Sequence, residues 1–259
     1  MISGPAGTGA PGPDVDPGGS PGNHAAAAAA ASRPAAGLTA QARTRDALMI
    51  ALTLVTGATD AIAFTRLGSV FTSVMTGNMV LLGIDVGRGA LSALEHTGLA
   101  VLSFIVGTVA GARIAGSPRA GDPVWPRPLS RALGVELAIF VAVAIGWWAS
   151  GSHPTGGLQS AELAASALAL GIQSSAVLRL NVSGLSTTYL TGTLTTLVQT
   201  LTTTRRLKGG GRSLCLLTAL IAGAAIGTLL AIRVPPAAPL VSLLILSTVI
   251  VTAEVKIAR

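Results

Sequence analysis

Charge is what this chain has least of. Of its 259 residues only 10% are Asp, Glu, Lys or Arg, against roughly 25% in an average soluble domain. Ten acids and seventeen bases cannot clothe a soluble surface of this size. Aromatic residues are rarer still, at 3% with a single Tyr. A membrane β-barrel needs short alternating strands bounded by aromatic girdles, and neither pattern occurs. The lone cysteine, Cys215, excludes an intrachain disulfide and any zinc cluster built on several cysteines. It reads as a small packing residue near the start of a helix. Enzyme signatures are missing as well. His24, His96 and His153 fall in the tail or in loops, and no HExxH, GxSxG, P-loop or acid pair on one helix is visible. The expectation is a protein that is not an enzyme and uses no metal or cofactor.

What is plentiful points to a membrane. Half of the residues are hydrophobic and 32 are glycine, with a mean hydropathy of +0.68. The apolar residues come in runs of about 17–21, long enough to cross a hydrocarbon core of ~30 Å, and glycine lets such helices approach closely. The fold class is therefore an all-α integral membrane protein. Most of the bases behind the net charge of +7 flank these runs, as the positive-inside rule requires, so nucleic acid is not the expected partner. Residues 1–42 are rich in Pro, Gly and Ala and include an alanine run at 25–31. They cannot bury a core and read as a disordered cytoplasmic tail. They lack the basic and leucine-rich parts of a signal peptide. The membrane domain is residues 43–259.

Eight apolar segments follow the tail, at about 46–66, 70–86, 97–116, 130–150, 161–179, 185–204, 213–233 and 239–255. The remaining prolines lie between segments or, for Pro239, in a first turn, where proline is tolerated. The segments read as two units, 46–150 and 161–255. Thr76-Gly77 recurs as Thr191-Gly192, Gly107-x-x-x-Gly111 as Gly223-x-x-x-Gly227, and Gly57 and Arg66 as Gly171 and Arg179, at offsets of 113 to 116 residues. A near-constant offset is the signature of an internal repeat.

The second and sixth segments are unusual spans. One carries Thr72, Ser73, Thr76, Gly77 and Asn78, and about half of the other is threonine. Such segments are shielded from lipid, or broken at Gly77 and Gly192. If all eight segments cross and the N-terminus is inside, ten Lys/Arg lie inside and seven outside. If these two dip in and return, fourteen lie inside and only Arg66, Arg88 and Arg233 outside. The second count obeys the positive-inside rule better. It gives six transmembrane helices plus two re-entrant or broken segments, and three crossings per unit make the repeats inverted. Eight crossings with parallel repeats is the alternative. Inverted repeats with paired discontinuous segments are a transporter architecture, with the site between them near the midplane.

Several of these residues carry a resemblance. Asp60-Ala-Ile-Ala-Phe64, Leu67-Gly68, Val70-Phe71, Met75-Thr76-Gly77-Asn78 and Leu82-Gly83 resemble a first signature of the YoaK family. Gly171-Ile-Gln173, Ala176, Arg179, Thr187-Thr188 and Thr191-Gly192-Thr193-Leu194-Thr195 resemble its second. Ser174-Ser175 departs from the Asn-Ala expected after the glutamine. The resemblance covers about 46–255. It implies a multi-helix protein of the bacterial inner membrane carrying a domain of unknown function, and names no substrate.

The expected function is a transporter or permease for a small solute or ion. The alternative is a structural or regulatory membrane protein that binds a partner or lipid. The candidate path residues are Asp60, Thr76, Gly77, Asn78, Gln173, Ser174, Thr191, Gly192 and Thr193. Asp60 is a carboxylate deep in an uncharged stretch and must be offset by a partner, a cation, a proton or water. The Thr-Gly pairs would free backbone groups for a polar solute. Glu136 reads as an interfacial acid that snorkels near Arg131, and Glu162, Asp85 and Glu254 as segment-end charges. Trp147 and Trp148 read as interfacial anchors. Arg205, Arg206, Lys208 and Arg212 form a basic cluster that sets topology. The expected partners are the lipid bilayer and a small solute or coupling ion, and a homo-oligomer stays open.

Overall fold

The computed structural model describes residues 21–119, 121–180, 190–204 and 210–257, without the side chains of 21–38, 92, 200, 201, 203 and 204. Among them the regular elements are α1 (Pro21–Arg66), α2 (Met75–Arg88), α3 (Leu91–Ala115), α4 (Arg127–Ala149), α5 (Gly156–Leu178), α6 (Leu190–Thr204), α7 (Gly210–Arg233) and α8 (Ala238–Lys256), with a 3-10 turn at Pro235–Ala237. Met1–Ala40 and Gln41–Arg259 are separate compact units, and the membrane helices belong to the second.

Six helical stretches are long and apolar enough to cross a bilayer: Thr39–Arg66, Ala93–Ala115, Arg127–Ala149, Gly156–Leu178, Gly210–Arg233 and Pro235–Lys256. At 1.5 Å per residue they reach about 33–42 Å. By contrast α2 has 14 residues and α6 has 15, or about 21–23 Å, short of a ~30 Å core. Among the described residues the second and sixth segments are therefore the short ones.

The break in the first short segment is not at its glycine. Thr76, Gly77 and Asn78 lie in the first turn of α2, and Thr191, Gly192 and Thr193 in the first turn of α6. The non-helical stretch is residues 67–74, before α2. The chain runs without helix where Asp60 and Asn78 can satisfy its backbone, rather than at Gly77. The corresponding stretch before α6, 181–189, lies outside the described residues, and so does the basic cluster apart from Arg212.

Two close helix contacts organise the domain. α1 lies against α7: a Cβ on Gly57 would strike the Leu220 carbonyl, one on Gly223 the Leu54 carbonyl, and one on Gly227 would come within 2.5 Å of the Ala58 carbonyl. α3 lies against α5 in the same manner. A Cβ on Gly171 would strike the Phe104 carbonyl, one on Gly107 the Leu168 carbonyl, and one on Gly111 would lie 2.6 Å from the Ile172 carbonyl. Only glycine permits backbones to meet at this distance. The two sets correspond residue for residue. Positions 54, 57 and 58 become 168, 171 and 172 on adding 114, and 104, 107 and 111 become 220, 223 and 227 on adding 116. Helix ends correspond too. The Arg66 guanidinium donates to the Ala231 carbonyl at the end of α7, and Arg179 donates to the Ala115 carbonyl at the end of α3.

Helix directions decide between the two topologies. Gln173 Nε2 donates to Thr56 Oγ1 at 2.9 Å, and Gln159 Nε2 donates to the Arg66 carbonyl at 3.1 Å. As α1 ascends from 56 to 66, α5 descends from 173 to 159, so the two are antiparallel. Trp147 and Trp148, at the end of α4, donate their indole N–H groups to the carbonyls of Pro235 and Pro236, each at 2.8 Å, at the start of α8. α4 and α8 are therefore antiparallel as well. With eight crossings both pairs would run parallel. One face of the domain thus carries Arg66, Trp147, Trp148 and Pro235. The other carries Asp122, which pairs with Arg179 at 3.0 Å, and Asp46, which pairs with Arg45 and Arg212.

Gly107→Leu and Gly223→Leu should each force a pair of backbones apart, at a cost of about 1–3 kcal/mol or more. Gly134→Leu, where a Cβ meets nothing within 4 Å, should be nearly neutral. Thermal unfolding in detergent reads the difference, and equal melting temperatures for the three variants would contradict the contacts described.

Candidate functional site

Asp60 sits two turns before the end of α1 and is 5% exposed. Its carboxylate is fully engaged by the loop that follows. Oδ1 accepts the Thr72 N–H at 2.7 Å, the Ser73 N–H at 2.8 Å and the Thr72 hydroxyl at 2.9 Å, and Oδ2 accepts the Ser73 hydroxyl at 2.5 Å. Asn78 completes the clasp from α2. Its Oδ1 accepts the Phe71 N–H at 3.1 Å and its Nδ2 donates to the Phe71 carbonyl at 2.6 Å. Inside a membrane domain each unpaired backbone group costs several kcal/mol, so these two side chains are what let residues 67–74 run without helix. Gly68 and Ser69, both at positive φ, turn the chain out of α1.

The other predicted residues are placed as follows. Thr76 is exposed and Gly77 half-buried. Thr191 and Gly192 are exposed and Thr193 is buried. Their carbonyls are used by α6 itself, since Thr195 donates to Thr191 and Thr196 to Gly192. Thr195, Thr196 and Thr202 thus satisfy themselves along their own helix. Gln173 is fully buried and spends its amide N–H on Thr56, while its Oε1 has no partner. Ser174 is half-buried. The structure therefore ties Asp60 to Thr72, Ser73 and Asn78 through one loop, and Gln173 to Thr56. No hydrogen bond joins the Asp60 clasp to Gln173.

Two acids are more deeply buried than their sequence context suggests. α4 begins at Arg127, with Pro128 in its first turn, so Glu136 is nine residues, about 14 Å, inside it. It does not reach an interface. Glu136 is 0% exposed, and neither carboxylate oxygen has a hydrogen-bond partner. Glu162 is 3% exposed with both oxygens unpartnered. It fits because Gly146 of α4 has no side chain, and a Cβ there would lie 2.9 Å from its Oε1. A carboxylate at the centre of a membrane helix costs ~2.5–3.5 kcal/mol on insertion scales. The sequence did hold a signal. Leu129, Leu133, Glu136, Phe140, Ala144 and Trp147 fall at helical spacing on the buried stripe of α4.

Between α1, α4, α5 and α8 a small cavity of about 30 Å³ is lined by residues that include Thr59, Phe140, Trp147, Ser166 and Ser242. It is the size of one water molecule. Thr59 and Ser242 share a hydrogen bond of 3.0 Å across it. An open apolar groove of about 280 Å³ runs beside Asp60, along Gly57, Phe64, Phe71 and Leu220.

The profile of a family described as a protein of unknown function, DUF1275, matches residues 48–252. The chain belongs to that family. It is also 32% identical over 155 residues to the UPF0700 transmembrane protein YoaK of Bacillus subtilis (strain 168), a match covering 60% of this chain and 66% of that protein. The chain thus spans just under two thirds of its relative's length. No solved structure matches it. The family match covers all six crossing helices at least in part, together with α2 and α6. The six long apolar helices and the transmembrane relative make the chain a multi-pass membrane protein in contact with lipid.

Asp60→Ala should strip four donors of their acceptor. Hydrogen bonds to a charged group are worth about 1.5–3 kcal/mol, so a loss of about 3 kcal/mol or more is expected, against about 1 kcal/mol for Thr72→Val. Amide exchange at Thr72 and Ser73 should accelerate in the Asp60 variant. Unchanged exchange and stability would contradict the clasp.

Proposed function

We propose that this chain is a transporter or permease for a small solute or ion, built from two inverted repeats, 46–150 and 161–255, in the bacterial inner membrane. One observation carries the reading. α1 meets α7, and α5 meets α3, through equivalent glycines at offsets of 114 and 116, while α1 and α5 run in opposite directions. Two units of opposite orientation that exchange their closest contacts are related by a two-fold axis in the membrane plane. In transporters the site lies on such an axis near the midplane, and access alternates as one unit rocks on the other.

Further features support it. Each repeat carries a short helix, α2 or α6, that does not cross. A buried polar set, Thr53, Thr56, Thr59, Gln173 and Ser242, lines the interior from α1, α5 and α8. The cavity there has about the volume of one water molecule, so passage of a solute requires the helices to reposition. The positive-inside rule puts the face bearing Arg179 in the cytoplasm with both termini, because fourteen of the seventeen bases then lie inside. Asp60 has a different role from the one its sequence context suggests. It holds the first loop to α1 and so sets how α2 moves, rather than contacting the solute.

A substrate is not needed to test this. In a Cys215→Ser background, Thr56→Cys should react with a membrane-impermeant thiol reagent applied from either side of proteoliposomes, because an alternating site opens to each in turn. Labelling from one side only, or from neither, would favour the structural or regulatory class instead.

A further inference from the structure

Glu136 is the buried group that the reading above leaves without a task. It lies near the middle of α4, which ends at Ala149. The Gly146 contact with Leu158 and Glu162 fixes the register of α4 on α5. Ten residues further into the membrane along both helices, Glu136 comes level with residues 168–172. Gln173, with its unpartnered Oε1 and its bond to Thr56, is at most about a turn beyond.

Among the described residues no cation reaches this depth. α4 packs on α3, α5 and α8. On α5 the one charged side chain facing it is Glu162, about 15 Å nearer the Arg66 face by helix rise. On α8 the first charges are Glu254 and Lys256, and on α3 they are Glu95 and Arg113. All four are exposed near helix ends. Arg127 and Arg131 of α4 itself are exposed on another face of the helix. On α1, Asp60 is held by its loop, Arg66 by the Ala231 carbonyl and Asp46 by Arg45 and Arg212. A carboxylate so placed can be neutralised in two ways, by a metal ion or by a proton. A divalent metal ion needs several carboxylate, imidazole or thiolate ligands here, and among the described residues no three His, Cys, Asp or Glu side chains converge to hold one. A proton needs a single carboxyl.

We infer that Glu136 is the proton-binding residue of the membrane domain, level with the polar cluster of Thr56 and Gln173, and that the ion coupled to solute movement is a proton. Intramembrane carboxyls in pumps and transporters serve as such relays. A hydronium ion arriving from one side gives its proton to the Glu136 carboxylate and leaves as water. After the helices reposition, the carboxyl returns the proton to water on the other side. The neutral form allows the units to move without carrying a bare charge through the apolar interior. The inference rests on the transport reading and adds the coupling ion to it.

The chain contains four glutamates, Glu95, Glu136, Glu162 and Glu254, and of these only Glu136 and Glu162 are buried. Full-length Glu162→Gln protein carrying carbon-13 glutamate therefore has one buried glutamic acid. In proteoliposomes its infrared carbonyl band reports Glu136 without a change at that residue. The band should convert reversibly to a carboxylate band between mildly acidic and mildly alkaline pH, and a rapid pH jump on either side should drive it. Glu136→Gln should abolish the band, and if that variant does not fold the first titration still decides. A band that is constant with pH, or that answers to one side only, would overturn the inference. If Thr56→Cys labels from both sides while the band stays constant, transport stands and proton coupling falls. If Thr56→Cys is closed to one side, the transport reading itself falls, whatever Glu136 does.

Discussion

The domain depends on backbone-to-backbone approach at two helix pairs. Lipid tails are as apolar as leucine, so little hydrophobic force drives helices together inside a bilayer, and tight packing must supply the contact. Here glycines on α1 and α7, and their counterparts on α5 and α3, bring carbonyls to within the reach of a missing Cβ. Everything else is arranged around these pairs. α4 and α8 close the outside of the bundle and are tied by the Trp147 and Trp148 indoles to the turn at Pro235–Ala237. Arg66 and Arg179 cap the final turns of α7 and α3 on opposite faces.

Close packing explains where the polar groups go. A bundle held by glycine contacts is dense, and its interior has few places for water. The donors of residues 71–73 are therefore met by Asp60 and Asn78, and the hydroxyls of Thr195 and Thr196 in α6 donate to carbonyls of their own helix. Against this background, acids left unpaired stand out. Asp60 is costly to bury and fully compensated. Glu136 is equally buried and uncompensated. A group of the second kind persists in a packed core for a reason other than stability, because replacing it by an apolar residue of similar size would stabilise the fold.

Much of the architecture could be read from the sequence. The hydrophobic runs and the prolines between them place all eight helices, most of their ends to within about six residues and α1 apart at its start, and the two polar segments coincide with the short helices α2 and α6. The glycine pairs are visible as GxxxG spacing. Their partners are not, because a spacing does not say which helix it faces, and here Gly107 and Gly111 face α5 while Gly223 and Gly227 face α1. Asp60 was visible as an anomaly, but its partners lie 12 and 13 residues onward in a stretch that reads as the start of a helix. Glu136 was misassigned for a simple reason. The apolar run starts at 130 while the helix starts at Arg127, and three residues of helix separate a snorkelling acid from a central one.

The central claim is that the two halves of the domain face opposite ways, so that residues 67–74 share a side with the α4–α5 connection and lie opposite the α3–α4 connection. Ser69, Arg119 and His153 are exposed, one in each of these segments. Replacing each singly by cysteine in a Cys215→Ser background, and labelling intact cells with a membrane-impermeant thiol reagent, tests the claim whichever way the protein is inserted. The account predicts that positions 69 and 153 behave alike and 119 oppositely. If 69 and 119 behave alike and 153 oppositely, all eight segments cross, the repeats are parallel, and the account is wrong.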